Sequence, residues 1–351
     1  YSEAQNLWLA FGTGSTYVIG ALASHSLCER LGERRVALVS VALLLSLHVL
    51  LTLLQSPRLI AVVFPLIGLL QAIKWPIVES YVSAGRSPSA LVGLLGRYNV
   101  SWALAIPLAL AISGAIIGSG AQSYFFLIPA VLNVATLVLI ARWPDRRGRF
   151  EHDHPDRPPE RTLSQYAALV VSARWTMVAS YFLLFLLAPL MPGIFGRLAL
   201  DVRHAAFASS LLDVLRLITF ALLGLLPAWH GRSWPLLLTS VALPASFFMV
   251  LFGRSLALVL LGEAIFGVAS GFAYCAALYY AVIVKNASVD AGGVHEGLIG
   301  VGFAIGPLAG LLGHALALPL GGYVISMLTA VTPLVIVATC GAFWPLRRAV
   351  S

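Results

Sequence analysis

The chain has 351 residues, 60% of them hydrophobic and only 10% charged, against about a quarter charged in a soluble chain. So much apolar surface cannot be hidden in one aqueous core, and composition excludes an ordinary soluble domain. The formal net charge is +8, yet the basic residues are spread through short loops with no aromatic-interleaved patch, which argues against nucleic acid as a partner.

Apolar runs of roughly 20 residues, enough to cross ~30 Å of hydrocarbon, recur from end to end. They lack period-two alternation and so predict helices rather than barrel strands. In chain order the expected spans are residues 7–27, 36–54, 59–83, 100–117, 123–140, 176–195, 205–226, 235–252, 256–284, 297–317 and 321–343. Eleven spans put the two termini on opposite sides. One long polar segment carries Arg142, Arg146, Arg147, Arg149, Arg157 and Arg161 and separates the fifth span from the sixth. The expected fold is an all-α membrane protein of two pseudo-symmetric helical bundles. Residues 1–141 form an N-terminal bundle, 142–165 a cytoplasmic basic linker, and 166–351 a C-terminal bundle. Within this scheme residues 162–173 fit a short interfacial helix.

Orientation follows from the short-loop bases. One side collects Arg30, Arg34, Arg35, Arg86, Arg97, the six linker arginines, Arg232, Lys285, Arg347 and Arg348, fifteen in all. The other collects four, Arg58, Arg197, Arg203 and Arg254, so the linker and C-terminus are expected in the cytoplasm. Two short echoes share an offset of 200: Ser40-Val41-Ala42-Leu43 with Ser240-Val241-Ala242-Leu243, and Pro107-Leu108-Ala109 with Pro307-Leu308-Ala309. A common offset across the linker points to two parallel halves. Cys28, Cys275 and Cys340 lack any paired spacing and read as packing residues. The first apolar stretch is too long, and too poor in flanking bases, for a cleavable signal peptide.

Ionisable groups inside spans are costly and usually pair or face a wet cavity. In the third span, Gln71, Lys74, Trp75, Val78, Glu79 and Tyr81 fall on one helical face. Lys74 lies near mid-depth and is the first candidate for solute or counter-ion contact, against snorkelling or a structural ion pair; Glu79 lies closer to the cytoplasmic end. Asn99 and Trp102 of the fourth span, with Phe272, Tyr274, Tyr279 and Tyr280 of the ninth, could stack on a sugar-like or aromatic solute or simply form core. Asp213 and Arg216, three apart, are close enough to pair, as structural glue or as a switch. For Glu263 and Arg174, near span ends, snorkelling is the default. His295 and Glu296 are expected to open the tenth span, where a first-turn acid favours capping and gating is the alternative. Gly297, Gly300, Gly302, Gly306, Gly310 and Gly313 suit close helix packing, with no following Lys-Ser/Thr to make a phosphate loop. His25, His48 and His314 have no ligand spacing, and no metal site is expected.

Just after the first span the chain reads Leu27-Cys28-Glu29-Arg30-Leu31-Gly32-Glu33-Arg34-Arg35. This resembles the signature loop of the major facilitator superfamily, with Leu27, Arg30, Gly32 and Arg34 in place and Glu29 for its acid. His25 stands where that family has glycine. Arg97-Tyr98-Asn99-Val100-Ser101-Trp102 and the run Gly300 to Pro307 are also similar to the superfamily. The resemblance implies a two-bundle transporter whose first helix is missing here, so that the spans correspond to helices 2–6 and 7–12. It further implies that Glu29, Arg30, Gly32 and Arg34 gate the cytoplasmic side. The arginine of many proton-driven members would fall near Phe64, a departure that puts part of a proton-coupling apparatus in doubt.

Sequence therefore predicts a secondary active transporter that exposes one central site alternately to each side. With no Walker loop, a gradient of protons or another coupling ion would drive uphill movement. The expected partners are a small-molecule solute and the lipid bilayer; no cofactor is expected, and the chain is taken as a monomer. A preference for Arg over Lys fits a bacterial cytoplasmic membrane. Two rivals stay open: a transport-inactive receptor or fragment derived from such a transporter, and a membrane enzyme, which would need several polar groups converging from different spans.

Overall fold

The computed structural model describes residues 1–83, 88–121, 124–144, 160–285, 289–320 and 322–350. Arg86 and residues 145–159, which include Arg146, Arg147, Arg149 and Arg157, lie outside the described residues. Among the described residues there is no strand. The helices are α1 Glu3–Leu31, α2 Glu33–Leu53, α3 Pro57–Ser83, α4 Pro88–Ala103, α5 Ala105–Ser119 and α6 Leu127–Ile140, followed by α7 Glu160–Arg197, α8 Val202–Leu225, α9 Trp234–Phe252, α10 Leu256–Lys285, α11 Val289–Leu316 and α12 Tyr323–Val350. Ten helical runs among the described residues are long and apolar enough to cross a bilayer, with α4 and α5 counted as one run, Gly93–Ser119; α6 is shorter.

Local chemistry sets the ends. The Ser2 side chain caps α1 in a reciprocal box with Gln5, which satisfies two otherwise orphaned N–H groups. α1 and α2 meet at Gly32, whose φ of +84° costs a glycine little and any larger residue more. Asp201 caps α8 by accepting from the backbone N–H groups of Arg203 and His204, each at 3.0 Å.

Three differences from the expected spans have a common cause. α11 starts at Val289 rather than near residue 297, and α4 starts at Pro88 rather than near 100. The segment 162–173 is the first part of α7, where Leu169, Val170 and Ala173 are buried, and so it is no separate interfacial helix. In each case polar residues break the apolar run while the helix continues, because the i to i−4 hydrogen bonds of a helix close along the backbone whether or not its side chains are apolar.

α2 packs on α3 and α6, while α7 to α12 pack among themselves, with α10 against α7, α8 and α9. Helices before and after the polar segment touch through α1 on α11, α3 on α11, and α4 and α5 on α8. α1 is tied to α3 by Thr16 Oγ1 donating to Pro65 O at 2.6 Å and Ser24 Oγ to Ile73 O at 2.8 Å. The glycines of α11 do pack closely: a Cβ on Gly302 would stand 2.7 Å from Tyr181 Cβ of α7, and one on Gly310 2.8 Å from Leu7 of α1. The opposite, outward surface shows Leu22, Leu132, Leu225 and Leu238, all exposed, a pattern that water penalises and acyl chains accept.

Candidate functional site

Where these contacts converge, a cavity of about 320 Å³ lies between the helices that precede and those that follow the polar segment. α1, α3 and α4 contribute Tyr17, Trp75, Tyr98 and Trp102; α7, α8, α10 and α11 contribute Tyr181, Phe185, Asp213, Arg216, Tyr274, Glu296 and Phe303. A larger groove of about 880 Å³ runs along α8, α9 and α10, but exposed Ile218, Leu222, Trp234 and Leu238 line it, so it opens on the lipid-facing surface.

Arg216 is only 3% exposed, and its Nη2 donates to the Tyr181 hydroxyl. Its Cζ stands 5.0 Å from the ring centroid of Trp102, 5.2 Å from Tyr181, 5.5 Å from Phe220 and 5.7 Å from Tyr274. Four ring quadrupoles thus replace water around the guanidinium, each stabilising it by about 0.5–2 kcal/mol. Asp213 lines the same cavity. No ion pair joins it to Arg216 among the described residues, so the pairing expected from their spacing is not made; the long Arg216 side chain turns to Tyr181 and the rings instead.

At the end of the cavity nearer the Gly32 loop, Glu296 accepts a hydrogen bond from the Tyr17 hydroxyl, and Glu79 from Tyr274 at 3.4 Å. Glu79, His295 and Glu296 are all buried, and one ligand atom of each lies within 4.8 Å of the others. His295 and Glu296 therefore sit in the second turn of α11 and its continuation, not in a first turn, and helix capping does not account for them.

Lys74 is half-buried with its ammonium 4.7 Å from the Trp75 ring centroid; Trp75, not Lys74, forms cavity wall. Gln71 is also off the wall, with its buried Oε1 unbonded. Asn99 is buried, gives Nδ2 to Cys275 Sγ at 3.3 Å and accepts from Trp102 Nε1 at 3.2 Å. Beside it Gly96 and Gly224 meet so closely that a Cβ on Gly96 would stand 2.7 Å from Gly224 Cα. Glu263 is fully buried without a hydrogen-bond partner, so it does not snorkel. His25 and His48 have partners one turn away on their own helices, Glu29 and the Leu44 carbonyl, and His314 of α11 meets Glu3 of α1.

A family model of the Major Facilitator Superfamily matches residues 1–311. The chain belongs to that superfamily. Its membership places it among membrane transporters of small solutes. Comparison with curated proteins returns no match. Among solved structures, the human organic anion transporter MFSD10 (TETRAN) is similar with a TM-score of 0.67 at 14% identity, covering 97% of this chain and 83% of that one. A mutant form of the nucleoside transporter NupG is similar with a TM-score of 0.65 at 13% identity, covering 99% of this chain and 91% of that one.

In this superfamily member the loop after α1 is arranged as follows. Glu29 and Arg30 are exposed, and Glu29 Oε1 lies 3.5 Å from Nε2 of His25 one turn earlier. Arg34 Nη2 donates to the Ala141 carbonyl at 2.6 Å, which ties the start of α2 to the end of α6. The Glu29 carboxylate thus faces its own helix. Sequence reading did not single out Tyr17, Tyr181, Phe185 or Phe303 as cavity residues. Nothing in an aromatic residue within an apolar helix distinguishes a cavity wall from core.

Proposed function

We propose that the chain is a secondary transporter that moves a small organic solute through the cavity around Arg216 by alternating access. The observation that carries this reading is a desolvated guanidinium in an aromatic wall built from both sides of the polar segment. A solute with an anionic group for Arg216 and a flat apolar body for Trp75, Trp102 and Phe303 suits that chemistry. Organic anions, for which one of the two similar solved structures is named, carry such a charge; nucleosides, for which the other is named, share only the flat body.

The moving parts would be residues 1–141 and 166–351, joined by 142–165. The echoes support this division: Ser40 lies in α2 and Ser240 in α9, Pro107 in α5 and Pro307 in α11. With α4 and α5 taken as one span, each echo is displaced by six spans. The Glu29 to Arg34 loop would close the cytoplasmic side, the arginine bias would hold 142–165 in the cytoplasm, and a proton or another ion would supply the drive.

Reconstituted vesicles test this. A panel of radiolabelled organic anions and nucleosides should enter vesicles containing the protein faster than empty ones, and Trp102→Ala should abolish the difference. Equal flux into loaded and empty vesicles across the panel would favour a transport-inactive receptor or fragment instead.

A further inference from the structure

Glu79 of α3 and His295 and Glu296 of α11 are neighbours in space although 216 positions separate Glu79 from His295 in the sequence. All three are almost completely removed from solvent, at 3%, 0% and 4% exposure. Glu296 also forms part of the cavity wall, so the cluster is reachable from the cavity. We propose that this cluster is a binding site for one divalent transition-metal ion.

The imidazole decides the chemistry. Two buried carboxyl groups alone could share a proton, and Tyr17 and Tyr274 already donate to them. A shared proton does nothing for His295, whose Nδ1 and Nε2 are both buried with no hydrogen-bond partner. A buried polar group normally has a partner, and a metal ion gives the ring one while neutralising the carboxylates. Imidazole beside carboxylate is the donor set of zinc, cobalt and manganese rather than of calcium or magnesium. Donors bound at ~2.1 Å in tetrahedral array stand about 3.4 Å apart, so atoms already within 4.8 Å need only small rotamer adjustments.

Space is kept for this arrangement. A Cβ on Gly292, one turn before Glu296, would stand 3.0 Å from Glu79 Oε2. The positive charges of Lys74 and Arg174 act on Glu296 and His295 respectively, and the two carboxylates of Glu79 and Glu296 are there to offset them. An ion held here would join α3 to α11 across the base of the cavity.

The site is tested on the purified full chain in detergent, tag removed and chelator-washed, without any transport assay, so its failure leaves the transport reading untouched. Titration with Co²⁺ should give a saturable visible spectrum at one ion per chain, displaced by Zn²⁺. His295→Ala and Glu79→Gln should each weaken binding by about tenfold or more, while His25→Ala and His204→Ala leave it unchanged. No saturable binding, or binding indifferent to His295→Ala, overturns the proposal. Should His295→Ala fail to fold, X-ray absorption on the zinc-loaded natural chain decides: one imidazole with oxygen donors supports the site, and sulfur donors or no imidazole overturns it.

Discussion

Asn99 of α4 holds Cys275 of α10, its Nδ2 lying 3.3 Å from the sulfur. The other end of the same amide accepts from the Trp102 indole, which fixes the ring whose face stands 5.0 Å from the Arg216 guanidinium. One buried side chain thereby couples helix contact to the shape of the cavity.

Asn99→Leu keeps the volume and removes both bonds. It should lower stability by about 1 kcal/mol, the usual scale for a side-chain hydrogen bond between membrane helices. Trp102 emission should broaden as the indole loses its anchor. Thermal unfolding in detergent and fluorescence of a Trp102-only variant check the two effects.

Gly96→Val forces α4 and α8 apart, because even a Cβ would stand 2.7 Å from Gly224 Cα. Overpacking of this kind costs about 1–3 kcal/mol. Since these helices lie on opposite sides of the polar segment, the expected result is a lower melting temperature together with slowed solute flux. Serine at position 96 should lie between valine and the natural glycine in both measurements.

Arg216→Lys keeps the charge and discards the planar fork that meets Tyr181 and the rings. Loss of a charge-assisted contact is worth roughly 1.5–3 kcal/mol, or about tenfold to a hundredfold in Kd. Quenching of Trp102 by an anionic solute should show that weakening for lysine and at least as much for alanine. Equal affinity in Arg216→Lys would mean that charge alone suffices.

His230, in the connection between α8 and α9, stacks on Tyr279 with ring centroids 4.1 Å apart, and burial pushes its pKa down to about 4 from 6.5. The unfolded chain then binds a proton that the folded chain refuses, so stability falls as pH drops from about 6.5 and levels off below about 4. His230→Phe keeps the stacked ring without the titration. Its melting temperature should decline less than that of the natural chain between pH 7 and pH 5.

Helix content was legible because hydrocarbon thickness dictates run length, and the expected spans find their helices from α1 to α12. Trp75, Trp102, Asp213, Arg216 and Tyr274 were singled out as polar or aromatic groups in spans, and all five line the cavity. Lys74 attracted more weight on the same ground, yet its ammonium lies over Trp75 and off the cavity wall. The start of α11 was misread because Gly292, Gly293, His295 and Glu296 look like a loop to any measure of apolarity. They are helical because the backbone closes its own hydrogen bonds, and buried because other helices, not acyl chains, surround them.

By itself the amino-acid order determined that the chain is a membrane-spanning helical protein, where its longest apolar helices run, and which superfamily loop follows the first of them. Each of these depends on neighbours in the chain or on transfer from water to lipid, which act residue by residue. Only the tertiary structure decided that Arg216 leaves Asp213 for Tyr181, that Asn99 serves Trp102, and that Glu79 meets His295 and Glu296. The first and last of these come from how α7 meets α8, 35 positions apart, and how α3 meets α11, more than 200 apart; the second is a contact within α4, whose rotamers the packing of neighbouring helices sets.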